Sequence, residues 1–161
     1  WNDFVGLLSA MSGKEVRSRS HRLVKDREYL LLSEITEESN AVYAINESDR
    51  QISFPIKLTI DEVDTIGSTS AAILYVDKET LNYPLTVRKW QKGDYFYPLG
   101  MQGKKKLSKF FKDEKVDVIS KGKQWLLCSN DEIVWVIGRR ADERFKVRDD
   151  TRTLLKFEFH R

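Results

Sequence analysis

The chain has 161 residues, 40% hydrophobic and 33% charged, with a formal net charge of +3, which leaves room for one medium domain or two small ones. No apolar run is long enough for a bilayer-spanning helix. The single cysteine, Cys128, excludes an internal disulfide framework and fits a reducing compartment.

Trp1, Phe4, Val5, Leu8 and Met11 recur at helical spacing and Gly13 follows, which predicts a helix over residues 2–11. The chain opens on Trp1 without a signal-peptide pattern, so it is read as cut from a longer protein, with this helix as a tail. Basic and small polar residues alternate over 17–22. They lead into Leu23-Val24, a Lys25-Asp26-Arg27 turn and an apolar strand over 29–32, a predicted β-hairpin. Residues 34–40 are acidic and loop-like. Ile52, Phe54, Ile56, Leu58 and Ile60 alternate with period two and predict one half-buried strand, with Pro55 marking it as an edge. A Gly/Ser/Thr loop over 66–70 precedes a buried strand over 71–76. Asn82-Tyr83-Pro84 is the expected boundary between a connecting region, 1–82, and a C-terminal domain, 83–161.

Beyond that boundary, 85–87 and 95–97 read as strands around a Lys92-Gly93-Asp94 turn, and 98–103 as an irregular loop with two glycines. Leu107, Phe110 and Phe111 at i, i+3, i+4 predict a short helix over 106–114. Residues 124–128 and 133–137 form a second hairpin around Ser129-Asn130-Asp131, and Leu155, Phe157 and Phe159 alternate in a last strand. The expected fold class is α+β, mainly β, with two short helices and no internal repeat.

Charge is unevenly spread. Residues 1–87 carry nine Lys/Arg against fourteen Asp/Glu, residues 88–123 eleven against four, and residues 124–161 eight against seven. The positive field of the middle stretch suits a polyanion. Lys104, Lys105 and Lys106 arrive where the helix is expected to begin, and Lys109, Lys112 and Lys115 continue along it. On that reading Lys105, Lys109 and Lys112 share the side opposite the apolar residues, and cations at a helix N-terminus oppose the helix dipole unless phosphates offset them. Trp90, Tyr95, Phe96 and Tyr97 supply flat faces nearby, a mixture suited to nucleic-acid backbone with optional stacking. The competing reading makes the aromatics core and the lysines a solvated face.

Reactive constellations are missing from the sequence. His21 and His160 have no partner at metal-ligand spacing. Cys128 sits in an apolar strand as a small core residue, and the glycines near residues 6–13 do not form a phosphate loop. No nucleophile is paired with a base. Catalytic, cofactor-binding and metal-binding residues are therefore expected to be none.

Two strings carry a resemblance. The first runs Arg88, Gly93-Asp94, Phe96, Pro98-Leu99-Gly100-Met101, Gly103, Lys105-Lys106-Leu107, Phe110-Phe111, Asp113 and Lys115. The second runs Ile133-Val134-Trp135-Val136, Gly138-Arg139 and Asp142-Glu143-Arg144-Phe145-Lys146. In order and spacing they resemble the C-terminal domain signature of bacterial tRNA(Ile)-lysidine synthetases, over about half the chain. Ser12-Gly13-Lys14 and His21, Asp26-Arg27 and Leu30 resemble the family's connecting region. The departure is Asp117, where many members carry proline.

The resemblance implies a parent enzyme, cytoplasmic and ATP-dependent, that joins lysine to the wobble cytidine of an isoleucine tRNA. ATP with magnesium would belong to an N-terminal catalytic domain with an S-G-G-x-D-S loop, a string this chain lacks. The C-terminal part would be non-catalytic. It would grip tRNA near the acceptor stem, with Arg88, Lys89, Lys104, Lys105, Lys106, Lys109, Lys112, Lys115, Arg139 and Arg144 as candidate RNA-binding residues. The expected partners are that tRNA and the enzyme's own catalytic domain, with no membrane. The alternative is a structural or homodimerisation module with an incidental basic face.

Overall fold

The computed structural model describes residues 2–34 and 40–161. Trp1 and the acidic stretch 35–39 lie outside the described residues. The chain forms two compact units, residues 1–39 with 111–123, and residues 40–110 with 124–161. The fold is α+β and mainly β, as its alternating patterns predict.

The smaller unit opens with α1 (Asn2–Leu8), shorter than the periodicity predicts. A three-stranded antiparallel sheet follows, ordered β1 (Glu15–Arg17), β2 (His21–Asp26), β3 (Tyr29–Glu34). The predicted hairpin is present, but its turn lies later. Lys25 pairs with Leu30 and Asp26 with Tyr29, so the chain reverses at Arg27-Glu28. Arg27 takes a left-handed φ of 54°, and its N–H donates to Ser12 Oγ at 2.7 Å. A turn placed by charge alone misses this, because the ladder extends as far as backbone partners are available.

The same unit holds a helix that the sequence reading missed, α3 (Val118–Gly122). Asp117 is its N-cap. The carboxylate accepts the Ser120 N–H at 2.7 Å and the Ser120 hydroxyl at 2.7 Å, which satisfies one of the donors a helix start leaves open. The position where relatives were expected to carry proline is here filled by a capping residue. Burial pushes the Asp117 carboxyl up, but these hydrogen bonds outweigh it and leave the group below its ordinary value.

The larger unit contains two main sheets. One is ordered β13 (Arg140–Ala141), β12 (Glu132–Val136), β11 (Trp125–Ser129), β8 (Leu85–Lys89), β4 (Tyr43–Ile45). The other is ordered β5 (Gln51–Ile52), β6 (Lys57–Val63), β14 (Leu154–His160), β7 (Ile73–Asp77). A two-stranded ribbon, β9 (Tyr95–Phe96) with β10 (Lys105–Lys106), leads into α2 (Leu107–Asp113), which runs across the division between the units. Buried side chains from both main sheets, among them Ile45, Leu58, Val87, Leu127, Trp135 and Phe157, join one cluster. Alternate positions of β6, β7, β8 and β14 are buried, β11 and β12 are buried along nearly their whole length, and together they form one sandwich-like core.

Two expectations change here. The single strand read over 52–60 is two strands. Gln51 pairs with Thr59 and Ile52 with Leu58, so β5 folds back on β6 and Pro55 stands in the reversal rather than within an edge strand. Period-two alternation is preserved through a tight reversal, so it cannot distinguish one strand from a hairpin. Asn82-Tyr83-Pro84 lies inside the larger unit, where the Asn82 N–H donates to Ser129 Oγ at 2.9 Å.

The second hairpin forms as expected. β11 and β12 are joined through Asn130 and Asp131, with left-handed φ of 48° and 59°, torsions that suit the right-handed twist of a two-residue hairpin and that Asn and Asp tolerate. Gly138, two residues past the end of β12, has φ 80°, and a Cβ there would meet the Phe159 ring at 3.2 Å. Both backbone and space therefore call for glycine at that signature position.

Candidate nucleic-acid interface

The two signature strings are stitched together through Tyr97 and Asp142, 45 residues apart in sequence. Asp142 is the stitch: its side chain is 0% exposed. Its carboxylate accepts the Tyr97 N–H at 2.9 Å, the Arg144 N–H at 2.8 Å, and Arg144 Nε and a terminal nitrogen at 3.0 Å each. The Glu143 N–H donates to the Tyr97 carbonyl at 2.7 Å, and the Leu99 N–H to the Ala141 carbonyl at 2.9 Å. Glu143 accepts the Gly100 N–H at 2.9 Å and pairs with Lys146. The loop over 98–103 is thus held by the Asp142-Glu143-Arg144 segment.

That clamp decides what the arginines can do. Burial opposes the charge on Arg144, but the hydrogen bonds and charge of Asp142 outweigh it and raise its pKa. Its guanidinium also stacks over the Tyr97 ring at 4.4 Å and reaches Glu132 at 3.5 Å. Arg88 is spent similarly. Its two terminal nitrogens donate to the two Asp94 oxygens at 2.9 and 3.0 Å, while Asp94 also accepts the Gln91 N–H at 2.6 Å and so fixes the turn before β9. Those Asp94 bonds raise the Arg88 pKa against a smaller opposing effect of burial. Both candidates are half-buried members of internal ion pairs. The sequence signal for this was the nearby acid in each string, Asp94 and Asp142.

The lysines are placed differently. Lys105 and Lys106 pair with Phe96 and Tyr95 in the ribbon, so they are strand residues and not the first turn of a helix. The expected i, i+4, i+7 side of Lys105, Lys109 and Lys112 therefore does not exist as a helix face, and the argument from cations opposing a dipole falls away. Backbone pairing across the loop 98–103 takes these residues into the ribbon. Strand alternation leaves Lys106 exposed and Lys105 half-buried, while Phe96 beneath them is buried against Phe110 with ring centroids 5.2 Å apart. Lys104 lies over the exposed Tyr95 ring at 4.8 Å, and Lys109 on α2 is exposed. The larger unit thus presents Lys104, Lys106 and Lys109 on a short ribbon–helix segment with Tyr95 beside it. Lys112 and Lys115 are exposed and belong to the smaller unit.

The remaining candidates sit elsewhere in the larger unit. Lys89 lies 5.5 Å over the Trp125 ring. Arg139 Nε donates to Gln124 Oε1 at 2.8 Å, and Gln124 is itself held by its amide donating to the Trp125 and Ile137 carbonyls at 2.7 and 2.9 Å. Among the described residues no group of three or more His, Cys, Asp or Glu could hold a metal. No helix of the described chain is long and apolar enough to cross a membrane. Burial pushes the Cys128 thiol up to about 11, far from a reactive thiolate.

Comparison with known proteins places this arrangement in a family. Residues 85–157 match the model described as the TilS substrate C-terminal domain, and residues 1–35 match the TilS substrate binding domain. A tRNA(Ile)-lysidine synthase of Parabacteroides distasonis is 37% identical over 98% of this chain, and one of Bacteroides thetaiotaomicron is 32% identical over 97%. The chain spans 37% and 35% of those two proteins, little more than a third. A crystal structure of a TILS C-terminal domain superposes with a TM-score of 0.61 at 19% identity, covering 75% of this chain and 99% of that one, and so shares the fold. The clamp, the ribbon and the basic segment are the two signature strings seen in three dimensions, and the chain belongs to the C-terminal region of the tRNA(Ile)-lysidine synthase family.

Proposed function

We propose that this chain is the tRNA-gripping, non-catalytic part of an ATP-dependent ligase that joins lysine to the wobble cytidine of an isoleucine tRNA. ATP and magnesium would be handled by a catalytic domain elsewhere in the protein, in the cytoplasm. Residues 83–161 would carry the grip, on the acceptor-stem backbone. The observation that carries this reading is the exposed set Lys104, Lys106 and Lys109 on a ribbon–helix segment fixed by the Asp142 clamp. A lysine is a mobile point charge that meets phosphates without reading bases. An A-form stem hides its base edges and offers shape and backbone. Arg88 and Arg144, neutralised by internal carboxylates, hold the platform, and the lysines meet the phosphates.

The test is fluorescence anisotropy with labelled tRNA across a salt series. Replacing Lys104, Lys106 and Lys109 together by glutamate should weaken binding of unrelated stems about equally. It should also flatten the dependence of log K on log salt by roughly 0.7–0.9 for each phosphate that is no longer neutralised. The melting temperature should stay where it was, since the three side chains are exposed. Unaltered affinity would remove the lysines from the interface.

A second reading, a docking or dimerisation module, is favoured by one observation: Tyr29 and Leu32 on the smaller unit's hairpin are each 69% exposed. An apolar interface there would be nearly indifferent to salt, so the same series separates the two.

A further inference from the structure

A cleft of about 560 Å³ opens in the larger unit, inside the roughly 300–1,000 Å³ range of small-molecule pockets. Its floor is apolar, from Ile73, Leu74, Trp135, Ala141 and Val147, and Thr69 and Ser70 bring hydroxyls to it. Arg139 and Arg140 line it as well, and they differ from Arg88 and Arg144 in one respect. Each has only a neutral acceptor: Gln124 Oε1 at 2.8 Å for Arg139, and the Leu99 carbonyl at 2.6 Å for Arg140. Among the described residues neither guanidinium has a carboxylate within ion-pair distance, and the half-buried Arg140 keeps a buried Nε with no acceptor at all. The third cation of the lining, Lys146, is already taken by Glu143.

The Arg140 guanidinium, partly withdrawn from water and bonded only to a neutral oxygen, is under-compensated, and an anion is the partner that would complete it; Arg139 beside it is exposed and adds a second positive charge. The apolar floor asks for a flat, poorly hydrated body attached to that anion, and the hydroxyls for a polar edge. We propose that this cleft receives one unstacked nucleotide, its phosphate on Arg139 and Arg140 and its base against the half-buried Ile73, Ala141 and Val147. The proposal deepens the RNA-gripping reading and rests on it for the source of that nucleotide. The strand end of a bound RNA and a free mononucleotide offer the same chemistry.

The experiment has two arms. In the first, adenosine monophosphate, adenosine and inorganic phosphate are titrated into the chain while the methyl NMR signals of Ile73 and Val147 are followed. In the second, anisotropy compares an RNA stem ending in a short single-stranded overhang with the same stem blunt. Two variants accompany both arms. One is Arg139→Gln with Arg140→Gln. The other is Ala71→Trp, which fills the cleft from an exposed position without altering charge. The nucleotide should move the methyl signals at lower concentration than either of its halves. The overhang should improve affinity by about tenfold, the scale of one stacked base, and both variants should erase that advantage. Ala71→Trp should also leave blunt-stem binding and the melting temperature unchanged. Methyl signals unmoved by millimolar nucleotide, with equal binding of the two stems, would overturn the proposal. A nucleotide that binds in the cleft without any overhang advantage assigns the site to a free mononucleotide. Failure of both stems to bind would sink the RNA-gripping reading, and the nucleotide titration would still decide the cleft.

Discussion

Replacing Asp142 by alanine tests whether the two signature strings are one structure. The carboxylate is buried and accepts four hydrogen bonds, one from Tyr97 and three from Arg144. Its loss orphans the Tyr97 N–H and leaves the Arg144 guanidinium without its main counter-charge. Breaking a buried ion pair costs about 3–5 kcal/mol. The Arg144 side chain is 31% exposed and can partly rehydrate, so about 3 kcal/mol is expected for Asp142→Ala. Asp142→Asn keeps one acceptor oxygen and the volume, and should lose less, about 2 kcal/mol. Urea denaturation reads this as a fall in midpoint at unchanged slope. Combining Asp142→Ala with Arg144→Met should give a loss smaller than the sum of the singles by about 1 kcal/mol or more, because the pair is then removed together. Amide exchange at Leu99 and Gly100 should speed up, since their bonds to the Ala141–Glu143 segment depend on the same clamp. An Asp142→Ala variant within about 0.5 kcal/mol of the parent, the scatter of ordinary surface substitutions, would refute the reasoning. So would strictly additive losses.

Trp135 is 1% exposed within the main cluster, and Trp135→Ala should cost about 3–5 kcal/mol by calorimetry or urea melt; an unchanged melting temperature would remove it from the core. Asp117→Ala should cost about 1 kcal/mol at pH 7 through loss of the α3 cap, whereas Asp117→Ser should recover most of it. Because the folded-state pKa of Asp117 is depressed, its contribution is fully present above the ordinary carboxylate value near about 4 and is lost as pH falls through the folded value. The gap between parent and alanine variant should therefore close in acid, and a gap constant down to the acid transition would count against the cap. With its thiol pushed up to about 11, Cys128 should be almost wholly protonated at pH 8 and should react with a thiol reagent only on unfolding. Rapid labelling of the folded chain would show the strand to be open.

Much of this molecule is local and was legible in the chain. The hairpin of β11 and β12 follows from two apolar runs around Asn130-Asp131. The helix α2 follows from Leu107, Phe110 and Phe111, which are all buried. The charge excess over 88–123 is a property of composition, and the family resemblance is a property of spacing. Each depends on neighbours within a few residues, where backbone geometry ties sequence period to structure. Tertiary structure decided the rest. β14 enters between β6 and β7, pairing Phe157 with Ile60 on one side and Leu74 on the other. Its alternation predicted a strand but no address, because partners far away along the chain are chosen by the whole core's burial. The fates of the basic residues divide: the acids that take Arg88 and Arg144 stand close by in the sequence, while the wider network around them does not. Arg88 finds its acid six residues on, and Arg144 shares Asp142 with the Tyr97 backbone. Lys105 and Lys106 become strand by pairing with Phe96 and Tyr95 across the loop 98–103, a pairing that helical spacing does not reveal. A charge in a sequence is a formal number. Whether it faces phosphate or is neutralised inside the fold depends on which groups the fold brings within a few ångströms: local patterning shows the candidate acids near Arg88 and Arg144, and the fold decides which of them close on the guanidinium.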